Sequence, residues 1–245
     1  MANLKSYAAI SDQGPFLNMN EDDVCVDLAC KLFFVLDGFG GSGIGDKASD
    51  VVKDSLLKFY TKIGGDPEST MPFFYDRKFL LEGNALLNSM YYAHEAVKSE
   101  FANCEMPQRG GASGVCASLA DNILTVASTG NCMGLLYRAG HLKMIMTPDS
   151  YAAYAHDLKN KHFYTAPMSG FGLFDRLDID IRECRVFESD IFVFLTDGAY
   201  ARVDLDEIKY LLDRPEKDVK RIEGLFALAN ERGNLDNQSA LILNF

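Results

Sequence analysis

Short apolar or β-branched runs set apart by tight turns restrict this chain to folds built on antiparallel sheet. The runs are Val24–Asp27, Leu32–Leu36, Val115–Leu119, Ile123–Ser128, Met133–Tyr137, Leu142–Met146, Leu177–Arg182, Ile191–Leu195 and Ser239–Leu243. Segments of this length and composition, bounded by turn residues, read as strands. Asp121-Asn122 makes a tight hairpin turn between two of them, and Arg138-Ala139-Gly140-His141 makes another. Strands joined by such short turns run antiparallel.

Helical periodicity interrupts the series twice. Ala48, Val52, Leu56 and Tyr60 form a stripe between Asp46 and Tyr60, and Leu86, Met90, Ala93, Val97 and Phe101 form one between Phe79 and Phe101. Two later helices are predicted at Leu205–Leu212 and over Val219, Ile222, Phe226 and Ala229. Helices paired in this way within a strand series predict an α/β (α+β) sandwich: two packed antiparallel β-sheets flanked by α-helices, in four αββα layers. No linker, repeat or low-complexity tract divides the 245 residues, so one domain over 1–245 is expected. Residues 150–173, rich in Tyr, His and Gly and weakly periodic, read as a flap-like excursion.

Thirty-five acidic against twenty-four basic residues leave a net charge of −11, which argues against nucleic-acid binding through a basic face. A carboxylate-built metal site is compatible with that balance. The longest apolar run, Leu32–Leu36, is strand-sized, far short of the ~20 residues of a membrane span. The first residues show no apolar stretch of a secretory signal, so a cytoplasmic protein is expected. The six cysteines have no C-x-x-C spacing and read as reduced, mostly buried thiols.

Four acidic spots share one context. Asn20-Glu21-Asp22-Asp23 precedes Val24; Asp37-Gly38-Phe39-Gly40-Gly41 follows Leu32–Leu36; Thr196-Asp197-Gly198 follows Ile191–Leu195; and Leu235-Asp236-Asn237 precedes the last strand. A carboxylate at the end of a buried strand is costly unless paired or bound to a cation. Several at one end of a sandwich would make an all-oxygen site for a hard divalent ion. For any single Asp-Gly, an ordinary turn is the simpler reading; the recurrence favours the site.

Together with Ser11-Asp12-Gln13-Gly14, Ser113–Leu119, Thr125–Gly130 and Arg232-Gly233-Asn234-Leu235-Asp236-Asn237, these spots resemble the motifs of the metal-dependent 2C-type Ser/Thr protein phosphatases, particularly the compact bacterial ones. The order and spacing carry the resemblance over almost the whole chain. It implies a β-sandwich flanked by helix pairs and two Mn²⁺ or Mg²⁺ ions whose bridging hydroxide attacks phosphorus in line. Asp37 would bridge both ions. The Gly38 carbonyl and Glu21, through water, would complete one, and Asp197 and Asp236 would hold the other. These residues are the implied metal ligands, with Asp37, Asp197 and Asp236 catalytic, while Asp22 and Asn237 orient them. The implied partners are proteins phosphorylated on Ser or Thr, opposite a protein kinase in signalling.

The chain departs from the pattern in places. Leu17 stands where members carry a phosphate-clamping Arg, an efficient bidentate ligand. Asn131 and Ala201 stand where a third ion is held by Asp, so a third site is expected to be absent. Phe39 replaces a His of many eukaryotic members. These losses keep open an alternative of another class, a pseudophosphatase serving as a regulatory binding module. Against it, Glu21, Asp37, Asp197 and Asp236 are all present and costly without metal. The remaining candidates read as structural: His94 and His141, the flap residues His156 and His162, the core run Met144-Ile145-Met146, and Gly40-Gly41-Ser42-Gly43, a turn lacking the Gly-Lys-Ser/Thr ending of a P-loop.

Overall fold

The structure, a computed structural model, describes residues 3–40, 43–63, 71–105, 108–157 and 160–245, apart from the side chains of 63 and 152–164. Gly41 and Ser42 of the glycine-rich turn, and the side chains of His156 and His162, lie outside the described residues.

Two five-stranded sheets face each other. One has the order β1 (Ser6–Asp12), β12 (Gln238–Asn244), β11 (Ile191–Leu195), β6 (Met133–Arg138), β7 (His141–Met146); the other runs β10 (Asp180–Arg185), β5 (Ile123–Thr129), β4 (Gly111–Ala120), β3 (Leu32–Phe39), β2 (Asp22–Asp27). Every pairing is antiparallel. Alternation along β3 explains the layering. Phe33 and Val35 face the other sheet with Val115, Phe192 and Phe194. Leu32, Phe34 and Leu36 face outward onto α1 (Ile44–Ile63) and α2 (Leu81–Glu100). On the opposite side, Leu135, Val193 and Ile242 meet α4 (Leu205–Asp213) and α5 (Asp218–Glu231). The result is the four-layer αββα sandwich expected. The two early helical stripes are buried throughout, from Ala48 to Tyr60 and from Leu86 to Phe101.

The differences have local causes. β1 has only Ala8 fully buried, because it is an edge strand of small and polar residues. The strand expected at Leu177–Arg182 runs instead over Asp180–Arg185. Leu177 is buried without pairing, its carbonyl accepting from Tyr91 Oη at 3.1 Å. Val219 is 45% exposed, and α5 buries Asp218 and Leu225 instead, with Asp218 held by Ser6 and Arg221. The 150–173 segment contains two paired antiparallel strands, β8 (Ser150–Asp157) and β9 (Asn160–Pro167), as a sheet of their own. A four-residue helix, α3 (Asp197–Tyr200), follows β11.

All six cysteines are free, but only Cys116 and Cys132 are fully buried; Cys25, Cys30, Cys104 and Cys184 are half-buried, so the thiols are less buried than the sequence suggests. His94 is buried on α2, its Nδ1 accepting from the Gly172 N–H at 3.1 Å, which reads as structural. Ile145 and Met146 belong to the core. No helix among the described residues is long and apolar enough to cross a membrane.

Candidate metal centre

The sandwich gathers its acidic spots at one end. Asp22 opens β2 directly opposite Asp37 near the end of β3. Asp197 leaves β11 into α3, and Asp236 lies just before β12, the neighbour of β11. Thr196 joins the two sheets there: its hydroxyl donates to Asp22 Oδ2 at 2.7 Å and accepts from the Ser239 N–H at 2.8 Å. Asp22 and Asp197 are buried, Asp37 is half-buried, and Asp236 lies exposed at the mouth.

These carboxylates feel one another. Burial pushes the Asp22 and Asp37 carboxyls well above the usual range, and the neighbouring aspartates push them further. Asp197 is pushed up to about 6, by burial and then by Asp236, with Asp236 itself raised by lost hydration. The relief comes chiefly from hydrogen bonds of Thr196, Thr165, Asn131 and backbone N–H groups. Mutual repulsion among buried carboxylates is the condition that a bound cation relieves. Behind them the buried Cys132 thiol is also held well up, first by burial and then by Asp37.

Glu21 and Gly38 converge beside α1. Glu21 Oε1 accepts from the Gly43 N–H at 2.8 Å, just before the helix. A Cβ on Gly45 would lie 2.6 Å from Glu21 Oε2 and 2.8 Å from the Gly38 carbonyl oxygen, so only glycine leaves these two oxygens side by side. Asn237 ties the opening loop to this end: its Oδ1 accepts from Glu21 N at 2.9 Å, and its Nδ2 donates to the carbonyls of Gln13 and Met19.

A small pocket of about 90 Å³ opens beside Asp197 and Asp236, lined also by Thr165, Ala201, Arg202 and Asn234. A larger cavity of about 550 Å³ lies at the opposite end of the sandwich, near Lys5 and Lys31, away from the carboxylates. Leu17 is 40% exposed on the loop held by Asn237. Asn131 donates through Nδ2 to Asp197 Oδ2 at 3.0 Å, and Thr165 donates its hydroxyl to the same oxygen. Sequence reasoning passed over Thr165 and Thr196. Thr196 had a signal in its place beside Asp197, whereas nothing around Thr165 in the sequence marked it.

Among the described residues no three His, Cys, Asp or Glu groups form a ready-made metal cage. The arrangement is of neighbouring carboxylates and a backbone carbonyl, and beside them the buried Asn131 Oδ1 has no hydrogen-bond partner among the described residues. This all-oxygen donor set, without thiolate or imidazole, fits Mg²⁺ or Mn²⁺.

The family model of Protein phosphatase 2C matches residues 19–162. The chain belongs to that family. Its fold is that of bacterial 2C-type Ser/Thr phosphatases. A Pseudomonas aeruginosa structure described as PppA, a key regulatory component of T6SS, is 22% identical, with 99% of each chain covered and a TM-score of 0.76. The Mycobacterium tuberculosis serine/threonine phosphatase PstP/Ppp is 21% identical over 98% of each chain, with a TM-score of 0.75. The catalytic domain of PstP in complex with two manganese ions is 22% identical, covering 98% of this chain and 97% of that one, with a TM-score of 0.72. At these identities the phosphatase 2C likeness is one of fold. No curated protein matches the sequence.

Proposed function

We propose that this phosphatase 2C chain is an active metal-dependent protein Ser/Thr phosphatase, one domain over residues 1–245, that uses two Mn²⁺ or Mg²⁺ ions. The observation that carries the reading is the convergence of Asp22, Asp37, Asp197 and Asp236 from both sheets, close enough that neighbouring aspartates raise the carboxyls of Asp22, Asp37 and Asp197. The manganese in the PstP relative supports the choice of metal. When bound, two such ions acidify water toward hydroxide and neutralise charge on the phosphoryl group. Asp37 with the Gly38 carbonyl and Glu21 would hold one ion, and Asp37, Asp197 and Asp236 the other. Asp22, fixed by Thr196, holds the second sheet in register with them. The substrates on this reading are proteins phosphorylated on Ser or Thr, supplied by a protein kinase. Six free cysteines support a reducing, cytoplasmic location.

Hydrolysis of p-nitrophenyl phosphate with and without Mn²⁺ tests the reading; turnover that ignores Mn²⁺, or none at all, overturns it. The second outcome favours the pseudophosphatase alternative, whose supporting observation is an exposed Leu17 where a phosphate clamp would stand. If the site is active, Leu17→Arg lowers KM for this substrate about tenfold, because a charge-assisted bidentate contact is added at an exposed loop that tolerates it. A folded variant with unchanged KM means the loop does not face the phosphate. The third ion is expected to be absent. Asn131 turns N–H donors toward Asp197, and Ala201 offers no oxygen in its side chain. Crystals soaked in millimolar Mn²⁺ should show two strong anomalous peaks near Asp37, and a well-occupied third at Asn131 contradicts this.

A further inference from the structure

The β8–β9 hairpin leaves the sandwich from a firmly held base. The Asp149 N–H donates to the Gly130 carbonyl at 2.8 Å, and the Met168 N–H donates to the Asp149 carbonyl at 2.9 Å. Ser169 Oγ accepts from the Gly130 N–H at 3.0 Å. Next in the chain, Asn131 is itself immobilised: its N–H donates to Ser113 Oγ at 3.2 Å, and its carbonyl accepts from Tyr200 Oη at 2.5 Å. Near the end of β9, Thr165 reaches the aspartates. Its hydroxyl donates to Asp197 Oδ2 and accepts from Asn131 Nδ2 at 3.3 Å.

Asp197 Oδ2 therefore receives two neutral donors, one from the sandwich through Asn131 and one from the hairpin through Thr165. Two donors on one oxygen restrict the rotation of a carboxylate that lines the pocket. Groups that orient a ligating carboxylate are worth about 10–100-fold in metal affinity. The same bonds hold the hairpin against the pocket wall, where Thr165 stands beside Asp236 and Arg202.

We propose that Thr165, acting with Asn131, is a positioning residue that latches the β8–β9 hairpin to Asp197, so that docking of the hairpin and binding of a divalent cation at Asp197 strengthen each other. The inference rests on the reading of Asp197 as a metal ligand. Coupling of this kind is reciprocal: the factor by which the docked hairpin tightens the cation is the factor by which the cation stabilises the docked hairpin.

The test uses Mn²⁺ alone as the probe, on the full chain. Calorimetry compares Mn²⁺ affinity in the wild type, Thr165→Val and Thr165→Ser, and amide hydrogen exchange of β9 is followed with and without Mn²⁺. Valine keeps the β-branched shape of the strand and removes the hydroxyl; serine keeps the hydroxyl. The expected result is about a tenfold loss of Mn²⁺ affinity in Thr165→Val, loss of the slowing of β9 exchange that Mn²⁺ produces in the wild type, and retention of both in Thr165→Ser. Thr165→Val that binds Mn²⁺ like the wild type, with β9 still protected by it, overturns the latch while the metal centre stands. A wild-type chain that binds no Mn²⁺ overturns the metal reading and the latch with it.

Discussion

Asp37→Asn is expected to remove Mn²⁺-dependent turnover, beyond about 100-fold, and at the same time to raise the melting temperature of the metal-free protein at pH 7. The two effects share one cause. Asp37 faces Asp22 across the strand pair, and burial together with Asp197, Asp22 and Asp236 pushes its carboxyl upward. Its charge is a liability to the fold until a cation arrives. A neutral amide of the same shape keeps the packing and removes the repulsion.

The sign of the pH dependence follows from the direction of the shifts. A carboxyl raised in the folded state holds its proton where the unfolded chain has already lost it. Stability therefore falls as pH rises from the ordinary carboxylate range through the folded value, which for Asp197 is about 6, and stays low above it. The metal-free wild type should gain stability between pH 7 and pH 5, and Asp37→Asn should gain less. His94 pulls the other way, since burial lowers its imidazole, but it does so equally in both proteins and cancels in the comparison. Saturating Mn²⁺ should raise the wild-type melting temperature at pH 7 and leave that of the variant nearly unmoved. Asp37→Asn that keeps wild-type Mn²⁺ affinity overturns the two-metal reading. A lower melting point without metal overturns the account of like-charge repulsion.

How far the sequence reveals this site depends on whether the determining contacts are local. Asp37 and Asp197 were legible because each follows an unbroken apolar run, Leu32–Leu36 and Ile191–Leu195, that had to be a buried strand. A charge at such a boundary is conspicuous in one dimension. The α1 and α2 stripes were legible for the same reason, since burial of one helical face imposes its period on consecutive residues. β1 was not, because an edge strand with one fully buried residue imposes no period. The β8–β9 hairpin pairs with itself and contributes to neither sheet, so no core-facing alternation marked it. Thr165 lies 32 residues from Asp197, in a stretch of mixed Tyr, Ala and His, and acquires its role only when the hairpin folds back. The Glu21 bond to the Gly43 N–H likewise depends on where α1 begins relative to β2.

Gly198→Ala should be among the most damaging single-methyl changes in this protein. Gly198 follows Asp197 at the start of α3, where the chain passes over the segment leading into β12. A Cβ there would lie 1.8 Å from the Asn237 carbonyl oxygen and 3.2 Å from Asp236 Cβ, both in the segment that carries the second candidate ligand. The obstacle is backbone, which cannot rotate away as a side-chain end does, and the Asn237 amide is already bonded to Gln13 and Met19. Accommodating the methyl therefore means moving residues 236–237 away from Asp197 and stretching the Gln238 Nε2 bond to the Gly198 carbonyl, 3.2 Å long. Overpacking against an unyielding wall costs about 3 kcal/mol or more, a loss of roughly 6–12 °C in melting temperature. Any fraction that folds should bind Mn²⁺ weakly, because the Asp197–Asp236 pair has been spread. The control is Gly224→Ala on α5, where the new methyl meets only the end of the Leu211 side chain at 3.3 Å and the helix gains about 0.5–1 kcal/mol from the better helix former. Thermal melts of the two variants, with Mn²⁺ titrations of each, should separate by sign. A Gly198→Ala protein that melts with the wild type would mean that β11 and β12 do not bring Asp197 and Asp236 together over this glycine.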